Sequence, residues 1–252
     1  MSPRRRTNHS SLRSLRLFAS ALFIVISALP ALATTTDKLV VRDNVAQTHR
    51  EELASRLRKI TGWTKLKFNN DGAFQTDLQE ITGGSKIARE LLNTAFFGNR
   101  TILFEDASSR KDVIFCRVIS GKLLPETLPD EEIHVVQIDF TDFRQVIGDK
   151  EALAAFDVGW AVLHEIDHVI SDSADPLVQD VAGACEGHIN QMRRELGLPV
   201  RTNYFYDFVP VRNDSNLISR FVRLGFDQEG GRAAKKRRYW LIWDAAIVGG
   251  LG

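Results

Sequence analysis

The chain has 252 residues, is 44% apolar and carries a formal charge of +1, which is ordinary for a globular protein with a sizeable core. Setting aside the N-terminal leader removes five arginines and no acidic residue, leaving 28 Lys+Arg against 32 Asp+Glu and a charge of −4. That balance excludes nucleic acid as a partner held by charge. The two cysteines, Cys116 and Cys185, do not make a disulfide framework, although one bridge is open to them in an oxidising compartment.

Arg4, Arg5, Arg6, Arg13 and Arg16 lie before or at the start of an apolar stretch from Leu15 to Leu32 that closes in Ala31-Leu32-Ala33. A charged start, an apolar middle and a small-residue end make a secretory signal peptide over residues 1–33, with cleavage expected after Ala33. Ser20, Ser27 and Pro30 interrupt the run, so it falls short of a comfortable membrane span. The mature domain, residues 34–252, is expected to be secreted or periplasmic, without stable membrane association.

Val45, His49, Leu53, Leu57 and Ile60 recur at helical spacing, predicting a helix over 44–60 that Gly62 stops. Thr64 to Phe68 alternates as a strand, and Asn69-Asn70-Asp71-Gly72 is a turn cluster. Gly83-Gly84-Ser85 opens a second helix through Phe97, with Ile87, Leu91, Leu92 and Ala95 as its apolar stripe. Arg100–Phe104, Val113–Ile119 and Ile133–Phe140 read as strands rich in β-branched and aromatic residues. A single long helix is predicted from Lys150 to Ile170, with Leu153, Phe156, Trp160, Leu163 and Ile166 on its buried side. After the turn Ser171–Pro176 another helix runs to Leu196 and ends at Gly197. In the tail, Tyr204–Val211 is a candidate strand, Asn216–Leu224 a candidate short helix, and Tyr239–Val248 an apolar segment. Lys235 to Arg238 reads as a solvated charge run beside a core element.

His164-Glu165-Ile166-Asp167-His168 is an H-E-x-x-H sequence inside the strongest helical pattern. Residues four apart share a helix face, so both imidazoles can reach one Zn2+ while Glu165 stands beside the open coordination position as the base that activates water. A catalytic zinc needs a third protein ligand. Glu186 is the first choice, with Asn190 one turn on to orient a ligating histidine; Asp175, Asp180 and His188 are the alternatives, Asp180 being equally readable as a helix N-cap. The choice depends on where the second helix begins, because a start at Pro176 would carry Glu186 about 15 Å up its axis. Tyr204 and His188 are candidates for stabilising a developing oxyanion.

The order of helix, strands, helix with H-E-x-x-H and following helix resembles the minimal zincin architecture. This implies an α+β fold with a small mixed sheet, a backing helix, an active-site helix and a ligand-bearing helix. Glu186-x-x-x-Asn190 resembles the Glu-x-x-x-Asp of gluzincins, with asparagine in place of aspartate. The segment from Asn190 to Tyr204, with Asn190, Arg193, Glu195, Gly197, Leu198, Pro199, Arg201 and Tyr204 at matching positions, resembles one that follows the zinc motif in a bacterial effector metallopeptidase family. There Ile189 stands where an acidic residue is expected. The resemblance implies a zinc endopeptidase with a protein or peptide substrate. In the plain reading of these residues, Arg193 and Glu195 are exposed helix positions, Gly197 is a helix stop and Arg201 partners a carboxylate. The competing functions are a non-enzymatic exported binding domain or degenerate zincin with a structural metal, and a zinc hydrolase acting on cell-wall amides.

Overall fold

A computed structural model describes residues 38–108, 110–120, 132–179, 181–210, 219–228 and 236–248. The expected signal peptide, Asp180 and Lys235 lie outside them. Strand β1 (Leu39–Val41) leads into helix α1 (Gln47–Thr61), which buries Leu53, Ala54, Leu57 and Ile60. Gly62 ends that helix at φ 77°, and a Cβ there would stand 2.4 Å from the Gly83 carbonyl oxygen, so this contact admits only glycine. The 69–72 turn joins β2 (Lys67–Phe68) to β3 (Phe74–Gln75), a shorter hairpin than the alternation from Thr64 predicts. Ser85 caps α2 (Lys86–Phe97), its hydroxyl oxygen accepting the Ala88 N–H at 3.0 Å.

Strands β4 (Thr101–Asp106), β5 (Cys116–Ser120) and β6 (Ile133–Ile138) fall within a few residues of the predicted ones. They join β1 in a four-stranded sheet of order β1-β4-β6-β5, in which β1, β4 and β6 run parallel. The edge strand β5 is antiparallel to β6.

The long helix predicted over 150–170 is two helices. After β7 (Ile147–Gly148), α3 (Lys150–Ala154) stops, and Asp157, in extended backbone, starts α4 (Val158–Ser171) by accepting the N–H groups of Gly159 and Trp160 at 2.9 and 3.3 Å. The apolar spacing runs on through this break, so periodicity does not reveal it, whereas an aspartate ready to cap does. Helix α4 is the central element, packed on α1, α2, α5 (Gly183–Glu195), β5 and β6. At its crossing with α1, a Cβ on Gly159 would lie 2.8 Å from the Arg56 Cβ.

Helix α5 begins seven residues later than the earliest start read from the sequence, at Gly183 instead of Pro176. Its far end is tied to α2, because Glu195 accepts the Ser85 hydroxyl at 2.5 Å and the Ile87 N–H at 3.1 Å. Beyond it, β8 (Val200–Arg201), β9 (Asp207–Phe208), β10 (Phe221–Gln228) and β11 (Arg237–Asp244) form an antiparallel sheet with β7, and α6 (Ala245–Val248) follows.

The helix expected over 216–224 is corrected where it is described. Phe221 to Leu224 belong to β10, whose burial alternates at period two through Val222, Leu224 and Phe226. Among the described residues of the predicted 204–211 strand, only Asp207 and Phe208 form a strand, and residue 211 lies outside the description. Lys236 and Arg238 both meet Asp227, at 2.7 and 2.6 Å, which fits a charge run beside a core strand. One apolar core lies among the first sheet, α1, α2, α4 and α5, and a second lies under the antiparallel sheet. The fold is α+β. Among the described residues no helix is long and apolar enough to cross a membrane.

Candidate metal centre

One turn apart on α4, His164 and His168 turn their Nε2 atoms towards each other, 3.1 Å apart. The third group to arrive is Asp175, whose Oδ1 stands 3.2 Å from His164 Nε2 and 3.3 Å from His168 Nε2. Three potential ligand atoms thus form a nearly equilateral triangle. Tetrahedral zinc with nitrogen and oxygen ligands at about 2.0–2.1 Å requires edges of about 3.3–3.4 Å.

The outer nitrogen of His168 fixes which of its lone pairs faces inward. His168 Nδ1 lies 2.8 Å from the Ser173 carbonyl oxygen, which only accepts, so Nδ1 carries the hydrogen and Nε2 of the neutral ring is the lone-pair atom. His164 Nδ1 faces Glu186 Oε2 at 3.3 Å, close enough for charge attraction but out of line for a hydrogen bond, and so finds no aligned acceptor. Two imidazole Nε2 atoms and a carboxylate oxygen converge, a set of groups that could hold a divalent cation.

Glu186 is therefore not the group that joins the Nε2 pair. It is 1% exposed and held by guanidinium groups, ion-paired with Arg193 and 3.2 Å from Arg201 Nη1. Burial works against its charge, but Arg193, Arg201 and His164 together hold its carboxyl well below the usual carboxylate range. Asn190 does not orient a histidine either. Its side chain accepts from Arg193 and from the Arg201 N–H, both at 2.9 Å, and donates to the Arg201 carbonyl at 2.7 Å. Arg193 is buried, contrary to the exposed position expected of it, and its Nε donates to the Ala155 carbonyl at 2.9 Å, satisfying the end of α3.

Tyr204 reaches the centre through the carboxylate. Its hydroxyl donates to Asp175 Oδ2 at 2.7 Å, and its ring stacks on His164 with centroids 5.9 Å apart. His188 is drawn away to Asp167 at 3.2 Å and is not part of the triangle. Cys185, for which the sequence offered only a disulfide role, is close by instead. Its thiol donates to the His164 carbonyl at 3.3 Å, and a ligand atom from each of His164, His168 and Cys185 lies within 4.8 Å of the others, so this trio could also hold a metal. Cys116 and Cys185 are both free thiols.

The electrostatics follow from this crowding. Burial opposes a proton on His168, but Asp175, Cys185 and the Ser173 carbonyl prevail and raise its pKa to about 10; His164 is driven the same way by Asp175, Cys185 and Glu186. A proton and a metal ion therefore compete for the same lone pairs. Glu165, nearly buried on α4, lines one cavity with His164. Burial pushes its carboxyl up against the pull of both histidines and a main-chain hydrogen bond from Val118 of β5. Comparison with protein-family models, with curated proteins and with solved structures finds no match.

Proposed function

We propose that the protein is an exported zinc peptidase of zincin type in which His164, His168 and Asp175 hold the metal and Glu165 is the general base. The observation that carries this reading is the triangle of ligand atoms with edges of 3.1, 3.2 and 3.3 Å. Cys185 is a weaker third ligand, because its thiol hydrogen is committed to a main-chain carbonyl and its cluster is looser, with atoms within 4.8 Å. Bound zinc would supply a Lewis acid and make water acidic enough to lose a proton near neutral pH.

With the metal bound, Glu165 would hold the proton of the attacking water and pass it to the leaving amine, a task suited to a carboxylate whose proton affinity burial has raised. Tyr204, expected to steady the oxyanion, is read here as a positioning residue, since its hydroxyl proton is engaged by Asp175. A peptide is favoured over other amides by strand β5. Among the described residues it pairs only with β6, and it packs against α4 with Val118 bonded to Glu165. An extended peptide can add to that open edge and so present its carbonyl near the base. Export rests on the signal-like first 33 residues.

Glu165→Gln, which keeps shape and removes the base, is the test. Zinc-loaded protein should hydrolyse denatured casein, and the variant should keep its zinc and lose about 10²–10⁴-fold in rate. Undiminished hydrolysis by the variant or by metal-stripped protein would overturn the reading.

A further inference from the structure

The cavity that His164 and Glu165 share has a volume of about 340 Å³, at the lower end of the range of about 300–1,000 Å³ for small-ligand pockets. Aromatic rings form one large part of its wall, with Phe115, Phe156, Trp160, Phe205 and Trp243 among the lining residues. These rings hold each other in place. Phe115 meets Phe156 and Trp243 edge-on at 5.1 and 5.3 Å, and the Trp160 indole N–H donates to the Ala154 carbonyl at 3.0 Å, so the pocket is preformed.

The charged lining is already paired. Arg193 and Arg201 donate to Glu186, to Asn190 and to main-chain carbonyls, leaving little for a charged side chain to bind. By contrast, the buried indole N–H of Trp243 has no acceptor among the described residues. Water in such a pocket gives up few hydrogen bonds when an apolar group displaces it.

We infer that this cavity is the subsite for an aromatic side chain on the substrate residue flanking the scissile bond. The inference rests on the peptidase reading above and adds the substrate class. Ala161, half-buried on α4, also lines the cavity and offers a way to fill it without replacing Glu165 or a ligand.

The experiment uses alanine-glycine peptides carrying one central Phe, Leu, Ala, Lys or Asp. Their binding to metal-free protein is read by tryptophan fluorescence, and their cleavage by zinc-loaded protein is mapped by mass spectrometry. The Phe peptide should bind at least about tenfold tighter than the Ala peptide and be cleaved beside the ring with kcat/KM at least about 100-fold higher. Ala161→Leu should remove most of both preferences, read as the ratio of Phe to Ala peptide; should that variant not fold, Leu224→Phe fills the same cavity from β10. Equal handling of Phe and Ala peptides, or an unchanged preference in a folded cavity-filled variant, overturns the inference. Aromatic-selective binding without hydrolysis keeps the subsite and rejects the peptidase; hydrolysis without aromatic preference does the reverse.

Discussion

Asp175 and His164 are 11 residues apart in sequence, yet Oδ1 of one stands 3.2 Å from Nε2 of the other. The chain makes this return in a short turn. Asp172 adopts a left-handed conformation at φ 48° directly after α4, and Arg100 pairs with its carboxylate at 3.1 Å while also bonding the Val169 carbonyl. Ser173 then gives its carbonyl to His168. Underneath, the buried Asp167 carboxylate accepts the hydroxyls of Ser171 and Ser173 at 2.9 and 3.1 Å. One x position of H-E-x-x-H thereby clamps the turn that carries Asp175.

Asp167→Ala should accordingly weaken zinc binding by about 10–100-fold, the usual cost of losing a group that orients ligands, without removing a ligand. Competition with a chromophoric chelator measures it. Unchanged affinity would mean that the turn holds itself.

Arg193 should matter more to stability than any charged group on the surface. Arg193→Met keeps much of the apolar stem but leaves the buried Glu186 with Arg201 as its one guanidinium partner and the Ala155 carbonyl without its donor, a loss of about 3 kcal/mol. Arg193→Lys should recover less than half of this, because one ammonium cannot reach Ala155, Glu186 and Asn190 in the planar fork that also covers Trp160. Urea unfolding of the metal-free proteins gives both values, and a loss below about 1 kcal/mol for the Met variant would contradict this account.

Asp142 gives the pH dependence. It is 6% exposed and accepts the Phe115 N–H at 2.9 Å, and burial raises its pKa to about 6. In the unfolded chain it titrates near 3.9. The folded state therefore holds its proton longer, so the contribution is fully favourable below about pH 4 and is lost as pH rises through about 6. Asp142→Asn, neutral throughout and still able to accept the Phe115 N–H, should match wild type near pH 4 and exceed it by about 2 kcal/mol above pH 7. Urea midpoints of the two proteins across that range test this, and a difference independent of pH would refute it.

The residues that make the centre were legible to different degrees. His164, Glu165 and His168 follow from spacing on a helix, and the structure places them on α4 as expected. The third group was not readable in the same way, because Glu186 and Asp175 exchange roles according to where α5 begins. A start at Gly183, with φ 82° and its missing Cβ beside Pro176 Cδ, leaves residues 172–179 outside helix and brings Asp175 back over α4. Arg193 looked exposed because a charge at the end of a helix normally is, and only the packing of α5 against the end of α3 makes it a core residue. Of the first sheet, β4, β5 and β6 were plain from their β-branched runs, whereas the three-residue β1 was too short to read. β10 was not, since most of the segment assigned to a helix precedes it and its alternation begins only at Phe221.

Metal content is the most direct test of the central claim. Purified mature protein should carry close to one zinc per chain, Asp175→Ala should lose it as His164→Ala does, and Glu186→Ala should keep a site of reduced affinity. Zinc retained by Asp175→Ala but lost from a Cys185→Ser protein would contradict the assignment and move the third ligand to the thiol.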